Sequence, residues 1–202
     1  MTSLPEADQG AELGGRLPLL HPANLMPEQK QLYQYLRDTK LGTKKADFQA
    51  DLPDGRLLGP FNALLYRPEL GRGFLGWIDA ESQHTSLAAP LRQLVILAVT
   101  AVWHADYELY AHSAMGLHAG LSAATIRAIK EGREPVGLAA PEAAAYRFTR
   151  ALVSQHQVPD ELYQQTVAAF GLGGVVELVH LIGHYLVTSA LLNAFAVPAP
   201  KS

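Results

Sequence analysis

The chain has 202 residues, 49% of them hydrophobic and 17% charged, with a formal net charge of −3 and no cysteine. That length and apolar content suit one domain with a sizeable core, and the mild acidity without a basic stripe excludes nucleic acid as the main partner. The missing thiols exclude a disulfide scaffold, a Cys-based zinc site and any thiolate nucleophile.

Residues 1–26 are rich in Pro, Gly and Leu without helical period. They read as an irregular arm lying over a surface, either its own domain's or a neighbouring subunit's. The arm opens without a basic start and apolar run, so it is not read as a secretory signal. The longest apolar stretches are interrupted by His, Arg, Glu or Gly, which argues against a membrane span and for a soluble cytoplasmic protein. The domain proper is expected over 27–202.

"PEQKQLYQYLRDT" places Pro27 in a helix's first turn and Leu32, Tyr35 and Leu36 on one face. Residues 40–59 read as a loop, with "KLGTKK" at 40–45 a solvated basic cluster, and two short helices follow, the first stopped before Pro68. A long central helix is predicted from a cap at Ser86 to about Leu117, with Pro90 near its start. Ser122 caps the next helix, which Gly132 closes. Pro141 and Asp160 open two more, and a last helix runs from about Gly174 to Phe195. Strand signals are scarce, so the expected class is all-α: a single domain of about seven or eight helices.

The central segment "LRQLVILAVTAVWHADYELYAH" is apolar on nearly every side, which places it in the interior and makes its polar residues informative. His104, Glu108 and His112 recur every four residues, so on one continuous helix they share a broad face. A carboxylate beside an imidazole can hold and move a proton near neutral pH, and the same pair can equally be a self-satisfied polar contact that orients the helix. A metal fits poorly. His104 and His112 lie about 12 Å apart along a helix axis, so both cannot reach one ion beside Glu108. His180 and His184 are also four apart on the last helix, with Gly183 between them permitting close approach of another helix. "GLGG" at 171–174 lacks the preceding strand of a phosphate cradle and reads as a helix junction.

Three segments, "GPFNALLYRPEL", "TSLAAPLRQLVILAVTAVWHADYELYAHSAMGLHAGLSAATIRAI" and "ELVHLIGHYLVTSALLNAFAV", together resemble the carboxymuconolactone decarboxylase family, whose superfamily includes alkyl hydroperoxidase D. The likeness spans roughly residues 17–200. It implies an all-α fold, a homo-oligomer (trimer or hexamer) and no cofactor. The redox branch carries Cys-x-x-Cys-x-x-x-His, where this chain has Ala105, Glu108 and His112. A thiol peroxidase is therefore opposed by the absent sulfurs. The glutamate is instead the pattern of the decarboxylase-like branch, although Leu109 replaces its usual Trp and Gln93 stands where Arg-Glu-Leu is common.

The resemblance implies acid–base chemistry on a small lactone or keto acid, by decarboxylation or isomerisation. On that reading His112 is the general acid/base and Glu108 its orienting partner. His184 or Tyr110 donates to a carbonyl, His104 and Trp103 edge the pocket, and Arg92 is the cation for a carboxylate. A non-catalytic binding oligomer of the same family is the rival. An open cavity of roughly 300 Å³ converging on Glu108 and His112 would favour an enzyme.

Overall fold

A computed structural model describes residues 13–41 and 48–200. Its eight α-helices are α1 Pro27–Leu36, α2 Pro60–Leu65, α3 Pro68–His84, α4 Ala89–Trp103, α5 Asp106–His118, α6 Ala123–Lys130, α7 Ala140–Gln155 and α8 Asp160–Ala194. Proline occupies the first turn of α1, α2, α3, α4 and α7, where its missing N–H deprives the helix of nothing. Ser122 caps α6 by accepting from the Thr125 N–H at 3.0 Å. Among the described residues the sole β feature is a bridge between Asp51 and Leu57, so the all-α expectation holds.

Helix α4 is the centre, as its uniform apolarity requires. Leu94, Val95, Leu97 and Val99 are fully buried against α5, α7 and α8. Ser86 does not cap it. Ala88 holds that position, while the Ser86 N–H donates to the Glu177 carboxylate at 2.7 Å and ties the α3–α4 link to α8.

The predicted helix from Ser86 to Leu117 is in fact two. His104 adopts a left-handed conformation (φ 51°), and the His104 and Ala105 N–H groups turn back to the Ala101 and Thr100 carbonyls. This closes α4 as a glycine would. Asp106 then restarts α5, with Glu108 in its first turn, where the helix dipole favours a carboxylate.

The run Asp160–Ala194 is interrupted at Gly171 (φ 68°, ψ 172°), a backbone state reserved for glycine, so two helices meet there as expected. This run is long and apolar enough to cross a membrane by length and composition. Its inner face packs Leu178, Leu181 and Ile182 into the α4 core, and its outer face exposes Leu172, Val176, Val179 and Val187. Trp77 of α3 comes against Gly183, where a Cβ would lie 3.3 Å from the indole.

Residues 13–26 of the arm lie on their own chain. The Arg16 N–H donates to the Phe195 carbonyl at 2.6 Å, and buried Asn62 brackets the arm by accepting from the Leu20 N–H and donating to the Pro18 carbonyl. Leu13 and Leu19 join Leu192 and Val197 in a small apolar cluster.

Candidate active site

Helices α2, α3, α5 and α8 and the segment at Phe48 enclose a cavity of about 210 Å³. Phe48, Phe61, Leu64, Phe74, Ile78 and Met115 form much of its apolar wall. Its polar face carries Glu108 and His112 from α5 with His184, Tyr185 and Thr188 from α8; Lys40 adds a cation. The cavity falls short of the roughly 300 Å³ that would favour an enzyme. It still exceeds the roughly 150 Å³ that admits benzene into an apolar protein interior.

His112 Nε2 lies 3.1 Å from Glu108 Oε2, both side chains being almost wholly buried. The one-turn spacing on α5 places the two rows in register. Behind the ring, Nδ1 lies 2.8 Å from Gln93 Oε1 of α4. An amide oxygen accepts, so this contact holds the ring with Nδ1 protonated. Nε2 and the Glu108 carboxylate are then the pair available for proton exchange. Tyr185 meets the His112 ring edge-on at 4.9 Å between centroids. Burial, reinforced by the charge of Glu108, drives its phenol far above the ordinary tyrosine range, so the hydroxyl is a permanent neutral donor.

His184 is 1% exposed, and its Nε2 is shut off from solvent with no hydrogen-bond partner. Burial pulls its pKa down to about 4, against the opposing charge of Glu81 and with help from His180 and Arg92. The ring is neutral at pH 7. Its Nδ1 faces Glu81 Oε2 at 3.9 Å, and Trp77 packs on it at 3.9 Å between centroids.

Other sequence-derived candidates lie elsewhere. His104 is exposed at the α4–α5 break, so it cannot share the Glu108–His112 face, and a continuous helix was the wrong premise. Trp103 is half-exposed beside it and engages Asn193 of α8 through its carbonyl at 2.6 Å. Neither lines the cavity.

Tyr110 does not donate toward the cavity. Its hydroxyl accepts from the Gln49 N–H at 2.8 Å while Tyr107 donates to the Gln49 carbonyl at 2.9 Å, so two tyrosines of α5 grip the backbone of one residue of the covering loop from both sides. Arg92 is not a free clamp either. Both guanidinium nitrogens engage the Glu81 carboxylate, the second at 2.7 Å, outside the cavity lining. Lys40 is likewise paired, with Asp79, which also accepts from Tyr35.

Sequence reasoning missed Gln93, Tyr185 and Tyr107 as site residues. Gln93 carried the one available signal, standing where the resembled family commonly has a glutamate. Among the described residues no group of three His, Asp or Glu side chains is arranged to hold a metal ion.

Residues 68–151 match the model of the carboxymuconolactone decarboxylase family. Among solved structures, an alkylhydroperoxidase AhpD core protein from Ralstonia eutropha JMP134, described as peroxidase-related, aligns with TM-score 0.73 and 15% identity over 93% of each chain. An AhpD-type protein from Agrobacterium tumefaciens aligns with TM-score 0.64 and 19% identity over 70% of this chain and 97% of that one. The debrominase Bmp8 in complex with 2,3,4-tribromopyrrole gives TM-score 0.68 and 14% identity over 92% of this chain and 91% of its own. At these identities the likeness establishes a common AhpD-like helical fold. No curated protein matches the chain.

Proposed function

We propose that this chain, whose residues 68–151 match the model of the carboxymuconolactone decarboxylase family, is a cofactor-independent acid–base enzyme, a decarboxylase or isomerase, acting on a small cyclic carbonyl compound such as a lactone. The observation that carries the reading is the backed pair: Glu108 and His112 at 3.1 Å on a cavity wall, with Gln93 behind the imidazole. An orienting group, an acid/base pair and a room for a guest are the parts such catalysis needs.

In the isomerisation form, the pair removes a proton from carbon next to the carbonyl. The electrons move to the carbonyl oxygen, where the Tyr185 O–H supports the developing charge, and the proton returns at another carbon. In the decarboxylation form, carbon dioxide leaves, the same oxygen takes up the electrons, and protonated His112 delivers a proton to carbon. Tyr185 thus takes the role expected of Tyr110.

A peroxidase mechanism of the thiol type finds no thiol here, since the chain has no cysteine. The non-catalytic rival draws support from the cavity's modest volume and from the satisfied His112 ring. Self-association as a trimer or hexamer belongs to the same proposal, supported by the exposed apolar stripe Leu172, Val176, Val179 and Val187 of α8. A cytoplasmic location goes with it.

The test is solvent deuterium incorporation into small lactones and cyclic ketones, followed by NMR, together with carbon dioxide release from β-keto acids. Parent protein should label or decarboxylate at least one compound. Glu108→Gln and His112→Ala should each lower that rate by about 100-fold or more. Near-parent rates in both variants would remove the proposal.

A further inference from the structure

We infer that Lys40 is the handle for an anionic substrate: its ammonium holds a carboxylate that stays on the molecule while Glu108 and His112 act on a carbon elsewhere in the ring. The inference rests on the functional reading above and deepens it, because it names ring carboxylates as the substrate class and moves their anchor from Arg92 to Lys40.

The local chain presents this side chain to the cavity. Helix α1 runs on into a single wide, π-type turn, Arg37–Leu41. Such turns shift side chains out of the helical register and recur at functional sites. Leu36 and Leu41 are buried on either side of the turn, Arg37 is tied to Asp51, and Lys40 to Asp79 of α3. Lys40 is thereby fixed at the cavity, where among the described residues it is the only Lys or Arg on the wall. It stands outside residues 68–151, so the handle belongs to a part of the chain that the family model does not match.

Asp79 matches the charge of Lys40 without filling its hydrogen bonds. An ammonium carries three N–H donors, and Asp79 takes one. Asp79 also accepts from Tyr35, which holds that carboxylate in place. The Lys40 and Asp79 side chains are 23% and 22% exposed, so this pair is open to a guest where Nε2 of His184 is sealed. A second acceptor on a tetrahedral ammonium lies closer to the nitrogen than to the first acceptor. Attraction of a guest carboxylate to Lys40 therefore exceeds its repulsion by Asp79. Among the described residues no ion pair joins Lys40–Asp79 to Glu108–His112, and the cavity of about 210 Å³ that both pairs border admits one small ring. A leaving carboxylate held by an ammonium would be stabilised against departure, so the one on Lys40 is retained through the reaction.

Benzoate and benzamide, alike in shape and different in charge, probe this by calorimetry at neutral pH. The parent should bind benzoate about 10-fold more tightly than benzamide, the gain expected of a charge-assisted hydrogen bond over a neutral one. Lys40→Met keeps the length of the side chain without its charge. It should abolish the preference while changing benzamide binding by less than about 3-fold. Asp79→Asn removes the competing carboxylate and should tighten benzoate by about 3-fold or more. An ion pair with a structural role alone would not move the two affinities in opposite directions. Should Lys40→Met fail to fold, Lys40→Met combined with Asp79→Asn restores the charge balance and should show the same loss of preference.

Equal binding of the two probes by the parent, a benzoate preference that survives Lys40→Met, benzoate no tighter in Asp79→Asn, or no saturable benzoate binding would each overturn the inference. Its failure is separable from that of the enzyme. Lys40-dependent benzoate binding without turnover of any compound refutes the enzyme and keeps the handle, whereas turnover of neutral lactones with no dependence on Lys40 does the reverse.

Discussion

Replacing His184 by Phe should remove a pH-dependent penalty on folding that the parent carries under mildly acidic conditions. The unfolded chain binds a proton at this imidazole near the ordinary value of 6.5, whereas the folded protein resists protonation until about pH 4. Burial is the leading cause, opposed by Glu81 and assisted by His180 and Arg92. The sign follows from proton counting. Above pH 6.5 neither state is protonated and the group contributes nothing. As pH falls from 6.5 toward 4 the unfolded state gains the proton first, so stability drops, and below 4 the loss is complete.

At 1.36 kcal/mol per pH unit the interval between 6.5 and about 4 sets an upper limit of about 3.4 kcal/mol. Relaxation of the surroundings around a buried charge reduces this, and about half is the working figure. Between pH 6.5 and 5, where roughly three-fifths of the effect falls, the parent should therefore lose about 1 kcal/mol more than His184→Phe. Urea unfolding of both proteins at pH 7, 6 and 5, at one protomer concentration, measures that difference. All other side chains are common to both proteins, so their contributions largely cancel. A parent–variant difference that stays flat with pH, or moves the other way, would refute a buried neutral His184.

Two further substitutions test the frame of the site. At Gly59 (φ 60°) an added Cβ would lie 2.2 Å from the Tyr107 ring, so Gly59→Ala should lower stability by about 2–4 kcal/mol and Tm by on the order of 5–10 °C, read by thermal denaturation. Gly73→Ala, where a Cβ meets nothing within 4 Å, is the control and should leave Tm unchanged or raise it. Arg92→Leu strands the nearly buried Glu81 carboxylate and should cost about 3–5 kcal/mol in urea unfolding, while Arg92→Leu combined with Glu81→Leu should recover most of the loss. A single-variant loss below about 1 kcal/mol would reopen the role of Arg92 as a free clamp.

The parts of this site legible in the sequence are those set within one helix. Glu108 and His112 are one turn apart on α5, so periodicity alone brings them together. The apolar surround of α4 likewise announced a central helix. What the sequence concealed depends on breaks and on partners from other elements. No Gly or Pro marks the end of α4, because His104 takes the left-handed position that glycine usually fills. Extending the helix across that point wrongly carried His104 onto the face of Glu108 and His112. Arg92 read as a lone cation because Glu81 belongs to α3, and Tyr110 read as a donor because the Gln49 peptide that occupies it lies 61 residues earlier. Periodicity reports which face a residue takes, and not which neighbour fills its hydrogen bonds.

The amide at position 93 draws these features together. A carboxylate there would stand within hydrogen-bond reach of the same imidazole that already faces Glu108, adding a negative charge with no counter-charge in a wall where Arg92 and Lys40 are both spoken for. Two carboxylates around one buried imidazole would hold its second proton tightly and leave a net anion at the cavity. Glutamine supplies the same acceptor to Nδ1 without the charge, so the ring is oriented and Nε2 faces Glu108 alone.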